Sequence, residues 1–407
     1  MRILILSQFY FPETGATSNR IHSLAKVFKE QGHEVMVVAE KPNHPEGVFH
    51  KGFEKGLFIR GVHDGIDVTW CWVLASQKKG FLSRISFYVT YMLSSIFAVY
   101  RLKGSFDAVI ASSPPLFVGV SGLIASWLKK AKFVFDVRDL WPDLAVSMGE
   151  LKNRHAIRLA ESLELFLYRK ADTITTVTDS FKKSIIAKGI DGSKVTIVSN
   201  GTDPELFRSL KSKTTLRIEL SLPDHFIVSY IGNIGIVQGL DHIIKSALFY
   251  SKSGSGKISF LFVGDGPRKK DLERDVMSLG LRNVIFRDRV PSEVASEYMN
   301  ASDALLVPLA NDPICEKFIP SKLFDSMAAS KPVLLSVPGE SREILMESEA
   351  GIFYPPEDDK ALVSAIDLLN SDPDLCREMS RNGCRYVMQK YSRRAQALKM
   401  LDILNGI

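Results

Sequence analysis

Cysteine is scarce in this chain, with four residues in 407 (Cys71, Cys315, Cys376 and Cys384), and no two stand at metal-ligand spacing. That scarcity excludes a disulfide framework and a thiolate metal site. Long apolar runs are missing too. The longest is Phe87–Tyr100, FYVTYMLSSIFAVY, and a helix of that length rises only about 21 Å, against about 30 Å of bilayer hydrocarbon. No membrane-spanning helix is expected. Met1-Arg2 followed by Ile3-Leu4-Ile5-Leu6 is too short for a secretory core and reads as a strand. The eight histidines make no H-E-x-x-H or other ligand cluster, and Walker A, G-x-S-x-G and G-x-G-x-x-G motifs are absent. Basic residues are not interleaved with aromatics, so no nucleic-acid partner is expected. From these absences a cytoplasmic protein is expected, with no metal site signalled by residue spacing.

The composition that remains is that of a folded globular protein: 45% hydrophobic and 24% charged residues, over a length that suits two or three domains. The net charge of +6 is unevenly spread. Residues 1–200 hold 26 basic and 18 acidic side chains, hence +8, and the remainder holds 26 and 28, hence −2. The first half is therefore expected to meet something anionic.

Strands and helices alternate. Ile3–Ser7, Glu34–Ala39, Ala108–Ser112, Lys132–Val137, Thr173–Val177 and Val195–Ser199 read as strands, with helical spacing between most of them, as in Ser18–Gln31. The pattern restarts with Ile227–Ile231, Ser259–Val263, Val284–Phe286, Ala304–Val307 and Val333–Ser336, joined by helical stretches Asp241–Tyr250, Arg268–Leu279 and Lys322–Ala329. Near-continuous apolar strands separated by helices predict parallel sheets covered on both faces. The fold class is α/β, with two tandem Rossmann-like doubly wound domains. The polar stretch Arg208–Asp224 is the expected join, and an interdomain cleft is the default site.

Five segments carry candidate chemistry. The first strand runs into QFYFPETGATSNR, where Gly15 precedes a helix and lets backbone N–H groups approach an anion; a plain strand–helix turn is the alternative. Asp136-Val-Arg138-Asp139-Leu-Trp-Pro-Asp143 crowds three acids and an arginine at the carboxyl end of a strand. Structural ion pairing accounts for one pair but not for such density beside Trp141 and Pro142 at a predicted cleft, which favours a functional reading. Gly232-Asn233-Ile-Gly235-Ile-Val-Gln238-Gly239 precedes a helix near Leu240 and suits a backbone cradle for a diphosphate, against the alternative of an unliganded glycine turn. In Glu316-Lys317-Phe-Ile-Pro320-Ser321-Lys322-Leu-Phe-Asp325, Ser321 is expected to cap a helix. Asp325 can accept from a ribose diol and Lys322 can meet a phosphate; capping with an exposed ion pair is the alternative. Phe81–Tyr100 is apolar nearly all round, flanked by Lys78, Lys79, Arg84, Arg101 and Lys103. It reads either as an interfacial helix on anionic lipid or as a buried core helix.

In this order the pieces resemble the family 4 retaining glycosyltransferases of the GT-B fold, over nearly the whole chain. The likeness is carried by NGTDPELF (Asn200–Phe207, similar to N-G-V-D-x-x-x-F), VGDGP (Val263–Pro267) and PSKLFDSMAASKPV (Pro320–Val333, similar to P-S-K-x-x-E-x-M-A-A-G-K-P-V). VRDLWPD resembles a bacterial O-antigen and capsule branch that includes N-acetyl-L-fucosamine transferases. Three motifs depart from the family. Arg138-Asp139 stands where many members have His-Asp. Asn233 and Gln238 replace an arginine and a lysine. Lys317, beside Glu316, stands eight residues before Asp325, where the first acid of an E-x7-E motif belongs.

The resemblance implies an acceptor-binding domain over 1–207, a nucleotide-sugar domain over 208–385, and a terminal helix in 386–407 packed back on the first. It implies a UDP-sugar donor, a lipid-linked saccharide acceptor at the inner face of the cytoplasmic membrane, and transfer without a metal. Arg138, Asp139 and Glu316 would serve catalysis. Gly15, Gly232, Asn233, Gly235, Gln238, Ser321, Lys322 and Asp325 would bind the donor, with the backbone at Arg289 and Val290 meeting the base. A UDP-sugar 2-epimerase of the same fold and a non-catalytic nucleotide-sugar-binding subunit are the rival readings.

Overall fold

The structure is a computed structural model that describes residues 1–407 except 14, 45, 78–79, 148, 150, 208–210 and 254–256; the side chains of 81–82, 147 and 313–314 are also left out. Lys78 and Lys79, and residues 208–210 of the expected join, lie outside the described residues. Two compact units divide the chain: Met1–Asn200 with Arg393–Ile407, and Gly201–Ser392.

The first unit is built on eight strands: β1 (Arg2–Ser7), β2 (Glu34–Glu40), β3 (Phe58–His63), β4 (Ile66–Cys71), β5 (Ala108–Ser113), β6 (Lys132–Val137), β7 (Thr173–Thr176) and β8 (Val195–Ile197). They lie in the order β3-β4-β2-β1-β5-β6-β7-β8, all parallel except β3, which runs antiparallel to β4. Ile3 to Leu6 are fully buried because β1 sits mid-sheet with helices over both faces. Helix α1 (Ala16–Glu30) covers one face, with Ile21, Leu24 and Phe28 packed on Ile3, Ile5 and Val37. Helix Arg393–Asn405 adds Ala397, Met400, Leu401 and Leu404 to that same core, and Arg394 pairs with Glu30. Each of the buried Met and Leu side chains among them contributes about 1.5–3 kcal/mol when taken from water.

Helices α2 (Phe81–Arg101) and α3 (Phe117–Lys129) pack together over the other face. Tyr91 anchors α2, its hydroxyl lying 2.9 Å from the carbonyl oxygens of both Ser7 and Val38. Tyr91, Ser95 and Val99 are buried, while Leu93, Phe97 and Tyr100 are exposed, Tyr100 by 65%. The core-helix reading therefore holds for one side of α2 only. Among the described residues, no helix is long and apolar enough to cross a membrane.

The second unit carries β9 (Phe226–Ile231), β10 (Ile258–Val263), β11 (Val284–Arg287), β12 (Ala304–Pro308), β13 (Val333–Ser336) and β14 (Gly351–Phe353). All its pairings are parallel, in the order β11-β10-β9-β12-β13-β14. Successive residues of each strand feed opposite cores: Ile227, Leu261, Val263 and Val307 with Leu323 and Phe324 on one side, Val228, Phe260, Phe262 and Leu306 with Ile243 and Ile244 on the other. Counted from the unit's own first strand the order is 3-2-1-4-5-6, which reverses direction between β9 and β12 and opens the ligand crevice beyond the carboxyl ends of those strands. Lys213–Glu219, within the expected join, is a helix of this unit. Its Arg217 donates to Asp303 at 2.6 Å and to the Ala301 carbonyl at 2.9 Å.

Candidate functional site

In the second unit, β9 ends in the loop Gly232–Gly235, followed by a 3-10 turn (Ile236–Gln238) and helix Asp241–Ser253. The loop is held by backbone. Gly232 N–H donates to the Val263 carbonyl (2.8 Å), Ile234 N–H to that of Asp265 (2.8 Å), and the Ile234 carbonyl accepts from Arg268 N–H (3.0 Å). This is what the VGDGP turn does: it is the seat of the first glycine loop. Gly264 has φ +150° and lies so close that a Cβ there would stand 1.9 Å from the Gly232 carbonyl oxygen, so only glycine fits.

Gln238 Oε1 accepts the Gly235 N–H at 3.0 Å. Three of the four loop amides are thus used inside the protein. Among the described residues, only exposed Asn233 keeps an amide not so engaged. Hydrogen bonds within the fold thus take most of the N–H groups on which a backbone cradle would draw, and charge for an anion at the loop is best supplied by a side chain.

That side chain is Lys322. It lies across Gly232, where a Cβ would meet its Cε at 2.2 Å and its Nζ at 2.7 Å, and Nζ stands 5.4 Å from the Tyr230 ring centroid. Burial lowers the affinity of this ammonium for its proton, while Asp325 pulls the other way. Lys322 and Asp325 share the helix Ser321–Ala328, one turn apart. Asp325 Oδ1 accepts from Thr202 Oγ1 at 2.6 Å, and Thr202 is fully buried. Ser321 does not cap this helix. Pro320 holds the N-cap position and Ser321 is the first helical residue, because Pro320 supplies the carbonyl that accepts from Leu323 N–H at 3.0 Å.

Around this centre, Arg289 is exposed and Val290 packs partly against the core after β11, whose Arg287 carbonyl accepts from Gly264 N–H at 3.1 Å. Glu316 and Lys317 close a 3-10 turn with both side chains exposed, and the Glu316 carbonyl backs onto Gly339.

In the first unit, Gly15 is the N-cap residue of α1, and its carbonyl accepts from Asn19 N–H at 2.9 Å. Arg138, just past β6, is buried. Its Nη2 donates to Thr17 Oγ1 (2.8 Å) and its Nε to the Ser113 carbonyl (3.2 Å), so Gly15, Thr17 and Arg138 share one corner. Burial pushes the Asp139 carboxyl up to about 6, with Arg138 opposing. Asp136 has a different task from its neighbours. It is fully buried and accepts from Arg20 Nη2 (3.0 Å), Ser112 (2.9 Å) and Thr175 (2.9 Å). Burial opposes its charge, yet Arg20 prevails and holds it below the usual carboxylate range. Glu13 accepts the backbone N–H groups of Asn43 (2.5 Å) and His44 (2.7 Å) beside the same loop.

Sequence reasoning missed Thr17, Arg20, Tyr230 and Thr202. Of these only Thr202 left a signal, as a hydroxyl in NGTD where the resembling motif carries an apolar side chain.

Residues 15–201 match the family described as Glycosyl transferase 4-like domain, and residues 212–385 match Glycosyl transferases group 1. The chain is a family 4 glycosyltransferase of the GT-B fold. It is 25% identical over 377 residues to WcaI of Escherichia coli strain K12, which bears the name of a colanic acid biosynthesis glycosyl transferase; the match spans 90% of this chain and 91% of that one. It is 26% identical over 268 residues to Pseudomonas aeruginosa WbjE, named a glycosyltransferase, over 64% of this chain and 65% of that one. Among solved structures, Anabaena Alr3699/HepE in complex with UDP and glucose superimposes with a TM-score of 0.74 at 18% identity, over 100% of both chains.

Proposed function

We propose that this chain is a retaining glycosyltransferase of cell-surface polysaccharide assembly. It moves an N-acetylated deoxyhexosamine, N-acetyl-L-fucosamine or a close relative, from UDP to an undecaprenyl-diphosphate-linked saccharide. The observation that carries the donor reading is Lys322 lying over the Gly232 loop, with Asp325 one turn along the same helix and fixed by Thr202. A diphosphate on that loop meets the Lys322 charge, while Asp325 faces the ribose hydroxyls. Colanic acid in the name of WcaI, and UDP in the HepE complex, support the same reading.

In the transfer, the bond from the sugar's anomeric carbon to the diphosphate oxygen breaks and UDP leaves with the electron pair. The acceptor hydroxyl bonds to the same face, and its proton passes toward the departing diphosphate. Lys322 stabilises the charge that builds on the leaving group, and no metal is assigned to this step. Arg138 and Asp139 orient the acceptor hydroxyl or the sugar. Asn233, Gly235 and Gln238 shape the loop; Ser321, Arg289, Val290 and Gly15 complete the binding surfaces, and Glu316 supplies an acid at the sugar.

The outward side of α2 supports a lipid-surface reading. Leu93 (58% exposed), Phe97 and Tyr100 stand out from α2, with Trp127 (62%) and Leu128 on adjoining α3, and Arg101, Lys103 and Lys130 are exposed beside them.

The test is a panel of UDP-sugars given to the purified full-length protein with and without a synthetic polyprenyl-diphosphate-linked sugar. UDP release that requires the acceptor is the expected result. Turnover without acceptor favours the 2-epimerase, and binding without turnover across the panel favours a non-catalytic subunit.

A further inference from the structure

The hairpin β3–β4 turns through Asp64-Gly65, with φ of +49° and +75°, and this turn sits against α1. Lys29 donates to the Gly65 carbonyl, and His22 Nε2 lies 3.2 Å from Asp64 Oδ2. His63, last residue of β3, completes a group in which one ligand atom each of His22, His63 and Asp64 lies within 4.8 Å of the others. Aromatic packing holds the imidazoles. Phe11 stacks on His63 at 4.8 Å and 17°, and the two histidine ring centroids are 5.4 Å apart.

We propose that His22, His63 and Asp64 bind one divalent transition ion of the zinc class, which clamps the β3–β4 hairpin to α1 and to the loop that leads to Gly15. Two imidazole nitrogens and one carboxylate oxygen form a zinc donor set and leave the fourth position to water, whereas magnesium and calcium take oxygen shells. Tetrahedral ligands about 2.0–2.1 Å from the ion stand about 3.4 Å apart, close to the observed His22–Asp64 separation. The outer partner is also in place. His22 Nδ1 lies 3.1 Å from Tyr10 Oη, so with Nε2 on the ion, Nδ1–H donates to that hydroxyl and fixes the tautomer. Tyr10 and Phe11 belong to the loop between β1 and α1, so ion occupancy orders that loop. This inference concerns architecture and stands whether or not the transfer reaction proposed above is the right one.

The experiment uses the full-length, tag-free protein, stripped with a chelator. Zn²⁺ is titrated against a chromogenic chelator, and Co²⁺ is followed by the visible absorption of a four-coordinate site. One equivalent is expected. His63→Ala and Asp64→Asn should each weaken Zn²⁺ binding by at least about tenfold. Asn tolerates the left-handed turn conformation of residue 64, so the second variant keeps the hairpin. The melting temperature should rise with Zn²⁺ in the parent and stay flat in Asp64→Asn. Absence of stoichiometric binding, or an affinity untouched by both substitutions, overturns the site.

Discussion

Gly232→Ala tests how the donor site is held together. The glycine has φ +141°, and an added Cβ would stand 2.2 Å from Lys322 Cε. Two costs follow, and they separate. The backbone is forced to keep a conformation nearly exclusive to glycine, at about 1–3 kcal/mol, which for a unit of this size lowers the melting temperature by about 2–10 °C. The clash itself is relieved cheaply, because Lys322 is the flexible partner and swings away. That movement takes the ammonium off the loop, and a charged hydrogen bond of about 1.5–3 kcal/mol is lost from diphosphate binding, or about 10–100-fold in affinity. Isothermal titration with UDP reads the second cost and a thermal melt the first. Lys322→Met should show the same loss of UDP affinity without the backbone penalty. Gly264→Ala should behave oppositely. Its Cβ would meet the Gly232 carbonyl oxygen at 1.9 Å, a backbone atom that cannot swing aside, so the fold suffers first. If Gly232→Ala binds UDP as tightly as the parent while melting lower, Lys322 is not the diphosphate's partner.

Three further outcomes are expected. Thr202→Val removes the 2.6 Å bond that orients Asp325 and should weaken UDP about tenfold, with little effect on free diphosphate; equal losses for both ligands would reject the ribose assignment. The Asp139 carboxyl, raised to about 6 by burial, contributes stability below its unfolded value near 3.8 that is lost as pH rises through about 6. Asp139→Asn should therefore raise the melting temperature at pH 7.5 relative to the parent and give no gain at pH 4, and a gain independent of pH would refute that account. Replacing Phe97, Tyr100 and Trp127 together by serine should lower partitioning onto anionic vesicles at least about tenfold, since each large side chain buried is worth about 1.5–3 kcal/mol; flotation equal to the parent's would remove the lipid surface from the picture.

Much of the architecture was legible because parallel strands buried on both faces need unbroken apolar runs, and such runs stand out between helical stretches. β1, β2, β5 and β6, and β9 to β13, were all marked this way. The hairpin β3–β4 was not. Its strands alternate at the sheet edge, and its one clear signal, Asp64-Gly65 between them, is a two-residue turn rather than a hydrophobic run. β14 is only three residues long.

Sequence by itself determined the two α/β units, the glycine loop at Gly232, and the Lys322–Asp325 helix turn, because each depends on residues within a few positions of one another. Tertiary structure decided the rest, because distance along the chain says nothing about which side chains meet. Arg20 finds Asp136 across 116 positions, and Thr202 finds Asp325 across 123. Lys322 reaches Gly232, and His22 meets a histidine and an aspartate that no spacing rule connects to it. Which loop amides are already spent on holding the loop, and so cannot hold a ligand, is likewise a property of packed backbone that no string of residues displays.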